Sequence, residues 1–323
     1  MSRSNGIARG ARGTAGQLLA TALAALLFAS SPAAAQSPSP KRRADCDRTC
    51  LIEIGDRYMQ AMVDKDRSDL PWAERVRFTE NDVALMIGDG LWGSITAIDD
   101  APFRLADATT GNLLWIGIVE EHGQPAYGAI RLKIEERRIA DVEAVVAREG
   151  TPIHFAPPAG YEIDERFGET LPPAERRPRG RLIALAEGYY DTMERNDGRL
   201  LGELSADCAR ISNGVDLTYG ENLPAQGCRA QFQIGYYKPV DRVRARRYAI
   251  VDEELGVVAA FAMLDHAARD VEYRTLDGQT VGIPIEYPNS HRVMELLKIR
   301  DGALERVEGL GVFQPYLMPS LWE

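Results

Sequence analysis

Residues 81–88 read Asn-Asp-Val-Ala-Leu-Met-Ile-Gly, and residues 213–220 read Asn-Gly-Val-Asp-Leu-Thr-Tyr-Gly. Both fit N-x-V-x-L-x-x-G, 132 residues apart. Their surroundings recur in the same order. Asp-Arg-Tyr-Met-Gln-Ala-Met at 56–62 matches Glu-Gly-Tyr-Tyr-Asp-Thr-Met at 187–193. Leu132-Lys133-Ile134, then Ile139, Val142 and Glu143, matches Leu297-Lys298-Ile299, then Leu304, Val307 and Glu308. Self-similarity of this kind predicts a tandem duplication of one α+β unit. The offset grows from 132 to 165, so the second copy carries 33 extra residues. Much of the excess falls near 269–289, where Asp277-Gly278 marks a hairpin that could cover a cavity mouth.

Within each copy the periodicity sets the elements. Leu51, Gly55, Tyr58 and Met62, and later Leu182, Leu185, Tyr189 and Met193, recur at helical spacing. Pro71 and Trp72 open a short helical or irregular stretch, and 83–87 alternates like a strand before the turn Gly88-Asp89-Gly90. Residues 112–121, 126–134 and 139–147 read as an antiparallel meander. Strands 113–119 and 257–264 are apolar on both parities, so both of their faces should be covered. The expected fold is therefore α+β: two cone-like (cystatin-like) units, helices packed on curved antiparallel sheets, forming an intramolecular pseudo-dimer. The domains are a first repeat at 46–148, a Pro-rich linker at 149–180 and a second repeat with an insertion at 181–323.

The N-terminus is a different kind of segment. Arg3, Arg9 and Arg12 precede the apolar run 18–29, and Ala33-Ala34-Ala35 follows. That is a signal peptide over 1–35 with an A-x-A cleavage site, which predicts a periplasmic or secreted protein. Its removal takes the formal net charge from −10 to −13, a balance that disfavours nucleic acid and anionic membrane surfaces. Cys46, Cys50, Cys208 and Cys228 remain, and an exported chain with an even count favours disulfides. The short-range pairing, Cys46–Cys50 and Cys208–Cys228, is the one expected. Metal-ligand spacing is lacking, and no cofactor is expected.

Arg-Tyr-Met-Gln-Ala-Met-Val-Asp-Lys-Asp at 57–66 and Leu-Lys-Ile-Arg-Asp-Gly-Ala-Leu at 297–304, set around a meander, resemble the nuclear transport factor 2-like superfamily. Its members include the SnoaL-like cyclases and ketosteroid isomerase. Pro315 to Trp322 also fits the P-Y-x-x-P-S-x-W ending of a secreted tandem-repeat group within it. The resemblance implies a cone with a pocket between helices and sheet. It implies an oxyanion-binding Tyr at Tyr58 or Tyr189, and an acid two residues before the L-K-I motif. That place is Ile130 in the first repeat and Glu295 in the second. The base position falls on Leu85 and Leu217, which cannot accept a proton, so steroid isomerisation is not implied.

The chemistry therefore points to the second repeat. Glu295 lies between Met294 and Leu296, where burial disfavours a charged carboxylate. His291 shares its strand parity. Aligning 113–122 with 257–266 without gaps places Glu121-His122 over Asp265-His266. His122 reads as a polar strand end, whereas His266 is a proton-transfer candidate. Tyr189 and Glu295 would donate to a developing oxyanion, with His266 or His291 moving the proton. Tyr219, Tyr236, Tyr237, Asp216 and Asn213 are ligand-binding candidates. The resulting expectation is a cofactor-independent lyase, dehydratase or isomerase acting on a small hydrophobic or aromatic molecule. A non-catalytic ligand-binding module is the alternative, and a homo-oligomer is allowed.

Overall fold

The structure, a computed structural model, describes residues 46–150, 154–270, 272–282, 285 and 287–323. The expected signal peptide and cleavage site lie outside the described residues. Helix α1 (Arg48–Asp64) starts on Asp47, whose side chain accepts from the Cys50 backbone N–H, and stops on Lys65 in the left-handed conformation. Then come β1 (Trp72–Glu80), β2 (Val83–Ala84), the short α2 (Leu91–Ser94), β3 (Ile95–Ile98), β4 (Phe103–Asp107), β5 (Asn112–Glu121), β6 (Gln124–Glu135) and β7 (Arg138–Ala147). Helix α3 (Arg179–Arg195) opens the second half. It is followed by β8 (Leu204–Ser212), β9 (Val215–Asp216), α4 (Cys228–Gln233), β10 (Arg242–Asp252), β11 (Val257–His266), β12 (Glu272–Arg274), β13 (Thr280–Gly282), β14 (Asn289–Arg300) and β15 (Ala303–Pro315).

The first sheet runs β2-β1-β7-β6-β5-β3, with β4 also on β5; the second runs β10-β11-β14-β15-β8-β9. This corrects the expectation of two cone-like α+β units with helices packed on curved antiparallel sheets. Strand holds 42% of the described residues against 18% for helix, with four α-helices, so the fold is mainly β. Nor are the sheets purely antiparallel: β1 runs parallel to β7, and β8 parallel to β15. The segment opened by Pro71 and Trp72, expected to be helical or irregular, is strand β1. Its alternation is masked by Glu74, Arg75 and Arg77, and its partner lies more than sixty residues away, so local pattern cannot reveal it.

The repeated Asn of N-x-V-x-L-x-x-G has a backbone role in both sheets. Asn81 and Asn213 take positive φ, 50° and 46°, at the tight turns after β1 and β8. Asn tolerates that region because its short side chain strains less there than a branched one. Each amide then clamps the neighbouring long strand. Asn81 Nδ2 donates to the Val146 carbonyl, while its Oδ1 accepts from Val146 N–H. Asn213 Nδ2 donates to the Gly311 carbonyl, while its Oδ1 accepts from Gly311 N–H.

Three apolar clusters form the core. Leu51, Tyr58 and Met62 of α1 pack on Leu113, Trp115 and Ile130 of the first sheet. Leu182, Tyr189 and Met193 of α3 pack on Val258, Ala260 and Val293 of the second. Between the sheets, Leu114, Ile116 and Ala129 meet Ala259, Phe261, Met294 and Leu296. The linker closes this layer: Phe167 is buried, and Phe155 and Tyr161 pack edge-on against Tyr127. An ion network crosses the same layer. Arg131 Nε donates to Glu143 at 2.6 Å, Arg247 and Arg292 reach the same carboxylate, and Arg292 Nε lies 2.9 Å from Asp82. The C-terminal Trp322 caps it, with Arg77 and Arg131 stacked 4.4 and 4.6 Å from the ring centre.

Candidate functional site

The second half contains a cavity of about 300 Å³, at the lower end of the range for small-molecule sites. Its floor is β14. Successive strand residues point to opposite faces, so His291, Val293 and Glu295 line the cavity while Met294 and Leu296 enter the layer between the sheets. By the same parity β11 contributes Leu264 and His266, and turns Asp265 away to Arg242, Arg244 and Ser290. Strand β8 contributes Arg210 and Ser212. Cys208, two residues earlier, is joined to Cys228 at the start of α4, and Cys46 is joined to Cys50, as expected from spacing. That bond ties the strand carrying Arg210 to the helix preceding Tyr236 and Tyr237. Tyr273, Val281 and Gly282 of the β12–β13 ribbon and its flanks cover the other side, and His154 enters from the linker.

Glu295 is the hub of a buried polar network. Tyr190 donates to it at 2.7 Å and Tyr189 at 3.3 Å, and Arg210 Nη2 stands 3.6 Å from its Oε1. Burial, reinforced by the Glu295 charge, holds the Tyr190 phenol well above its usual range; burial does the same for Tyr189, with Arg210 pulling the other way. Both remain donors at neutral pH. Where the sequence led us to expect Glu295 as a hydrogen-bond donor, the structure has it accepting from two phenols and facing a guanidinium. Arg210 also lies over the Tyr237 ring, 4.8 Å from its centre. The Arg residues at 242–247 are engaged elsewhere: Arg242 and Arg244 with Asp265, Arg246 with Glu187, Asp191 and Glu194, and Arg247 with Glu143.

The cavity disfavours the charged form of both its strand histidines. Burial pulls His266 down to about 4 and His291 to about 3; for His291 the repulsion that a second proton on His266 or His154 would add, and the Arg210 charge, act in the same direction. Their ring centres are 6.4 Å apart. Gly311 on β15 makes the room for His291: a Cβ there would lie 2.4 Å from its Nε2.

Glu295, His266, His291, Tyr236, Tyr237 and Asp216 thus line one cavity, with Tyr189 behind Glu295. Asp216 sits at the rim, its carboxylate taken up by Thr218 and the Tyr219 N–H. Asn213 and Tyr219 do not line the cavity: Asn213 is the buried backbone clamp, and Tyr219 is 44% exposed. His122 sits exposed in a turn at φ 51°. The gapless alignment of the two long strands is one residue out. Gln124, paired with Glu121, corresponds through the 165-residue offset to Asn289, paired with His266. The pattern reading missed Arg210, His154 and Tyr273. Arg210 carried a signal, since it shares strand parity with Cys208, a residue destined for burial.

Around Tyr58, the first-half counterpart of Tyr189, the packing is aromatic. Tyr58 packs against Trp92 and Trp72 with ring centres 5.2 and 6.1 Å away.

A family described as a domain of unknown function (DUF8021) matches residues 175–311, which include most of the cavity lining. No curated protein matches the chain. Among solved structures, a de novo designed protein with a curved β-sheet is similar at 11% identity, over 31% of this chain and 87% of that one, with a TM-score of 0.26. A likeness that slight bears on neither fold nor function.

Proposed function

We propose that the second half is a cofactor-independent lyase, dehydratase or isomerase that moves a proton on a small hydrophobic or aromatic molecule. The observation that carries this reading is the placing of two neutral imidazoles and a fixed guanidinium in one mainly apolar cavity. A neutral imidazole has a lone pair free to accept a proton at physiological pH, but pKa values of about 4 and about 3 make these two weak bases, so Arg210 has to ease deprotonation of the ligand. Arg210 would hold the substrate oxygen and stabilise charge developing on it as His266 or His291 takes a proton from the neighbouring carbon. Return of the proton to another carbon gives isomerisation; its transfer to a departing hydroxyl gives water and a double bond. Passive ligand binding is the second reading. It is favoured by the engagement of Glu295, which removes the expected donor pair from the chemistry.

Two disulfides are present, and among the described residues no helix is long and apolar enough to cross a membrane. Together with the N-terminal pattern, these support export to the periplasm or beyond. The catalytic reading is tested by incubating the cleaved protein in D2O with aryl ketones and aryl hydroxyketones, following carbon-bound deuterium by NMR. Enzyme-dependent incorporation is expected, lowered roughly 10²- to 10⁴-fold by His291→Gln or His266→Gln. Binding without any exchange would leave the passive module.

A further inference from the structure

We infer that the cavity takes its ligand uncharged, through a carbonyl-type oxygen that accepts from the guanidinium of Arg210, with an aromatic ring lying among Tyr236, Tyr237 and Tyr273. The inference rests on the reading of this cavity as a ligand site. Arg210 is 7% exposed and lines the cavity, yet its Nε has no hydrogen-bond partner among the described residues. A buried guanidinium whose N–H groups are not all paired is costly, and a ligand oxygen on the cavity side of Arg210 would add an acceptor to it.

The charge arrangement selects against ions of either sign. Arg210 and Glu295 are both buried and neighbour each other, so the floor is balanced. An anion on Arg210 would crowd the Glu295 carboxylate in a region of low dielectric. A cation would meet Arg210, and would find the Glu295 oxygens already accepting from Tyr189 and Tyr190. The histidines add no charge near neutrality. Asp216 is exposed at the rim and held by its own turn. A smaller recess adjoining His266 carries Lys238, Asp241, Arg269 and Asp270, again with both signs, and Arg269 pairs with Asp241 at 3.3 Å. On the floor of the main cavity a charged ligand would lose hydration without gaining a free counter-charge.

Calorimetric titration of the cleaved protein at pH 7.5 with four probes of similar size tests this: acetophenone, ethylbenzene, benzoate and benzylamine. Ethylbenzene reads the cavity alone. Acetophenone should bind at least about tenfold tighter than each of the others, the effect of one hydrogen bond from a charged donor. The double variant Arg210→Met/Glu295→Leu should keep ethylbenzene binding and lose the ketone preference. Arg210→Lys, which keeps the charge but moves the donor, should lose it as well. Equal binding of acetophenone and ethylbenzene, tighter binding of benzoate or benzylamine, or a ketone preference that survives either variant would overturn the inference and leave the cavity a ligand site. Failure of all four probes to bind would overturn both.

Discussion

Replacing Glu295 with leucine should cost the fold several kcal/mol, although leucine suits the volume and polarity of the surroundings. The buried Arg210 guanidinium stands 3.6 Å from Glu295, and Tyr190 and Tyr189 donate to the same carboxylate at 2.7 and 3.3 Å. Removing one partner of a buried ion pair costs about 3–5 kcal/mol, because the other charge is left uncompensated. The 2.7 Å phenol loses a charged acceptor, a further ~1–3 kcal/mol, and the longer bond loses less. Added apolar burial returns about 1–2 kcal/mol. A net loss near 4 kcal/mol follows, within the 5–15 kcal/mol typical of whole domains. The variant should fold, but its urea midpoint should drop by roughly 1 M or more.

The same reasoning makes Arg210→Met/Glu295→Leu more stable than Glu295→Leu alone, since a buried pair replaced by apolar residues is often neutral. Urea is the right denaturant because guanidinium salts would screen the interaction under test. A Glu295→Leu protein within about 1 kcal/mol of the parent, or a double variant no better than the single, would show that Arg210 is balanced by something other than Glu295.

Three more outcomes follow from the same geometry. Because burial brings the folded His266 and His291 down to about 4 and about 3 from 6.5, the unfolded chain takes up protons first as pH falls through 6.5, so stability is lost between pH 6.5 and 4. For His266 alone this is about 3 kcal/mol by pH 4, at 1.36 kcal/mol per pH unit; urea midpoints of His266→Leu and His291→Leu should vary less steeply over that window, and an unchanged slope would count against the buried neutral imidazoles. Gly311→Ala should keep the fold but displace the His291 ring and abolish ligand binding, read by calorimetry; unimpaired binding would detach His291 from the site. Cys208→Ser/Cys228→Ser opens a loop of 20 residues and should lower stability by ~3 kcal/mol, measured by urea unfolding, with peptide mapping of the parent recovering the Cys208–Cys228 link.

The elements that depend on local pattern were legible in the sequence, and those that depend on distant partners were not. The stripes of α1 and α3 and the long strands β5, β7 and β11 follow from apolar spacing alone. Strands β1 and β8 do not, because each is made a strand by parallel pairing with β7 or β15, and its own residues are half polar. The repeated motif was visible, but its reason was not. Nothing in N-x-V-x-L-x-x-G tells that the Asn turns the chain at positive φ and clamps a strand distant in sequence. For the site, strand parity correctly puts His291 and Glu295 on one face. It cannot supply Arg210, the guanidinium that stands beside Glu295.

Register between the two sheets shows how such a set could arise. Phe78 pairs with Val142 as Arg210 pairs with Val307, and Trp115 pairs with Ile130 as Ala260 pairs with Glu295. Carrying the offsets through, Ala126 stands where His291 does, Met59 where Tyr190 does, and Val146 where Gly311 does. Every one of these first-half residues is apolar and buried. The substitutions in the second half depend on one another. Alanine in place of tryptophan opens volume, and glycine in place of valine admits an imidazole. A carboxylate introduced there alone would be an uncompensated charge, as would an arginine alone; each is tolerable only with the other and with the two phenols that complete the network. A cavity produced merely by loose packing would need only the small residues. The matched charge, donors and imidazoles go beyond that, and the proposed ligand with one polar atom would account for them.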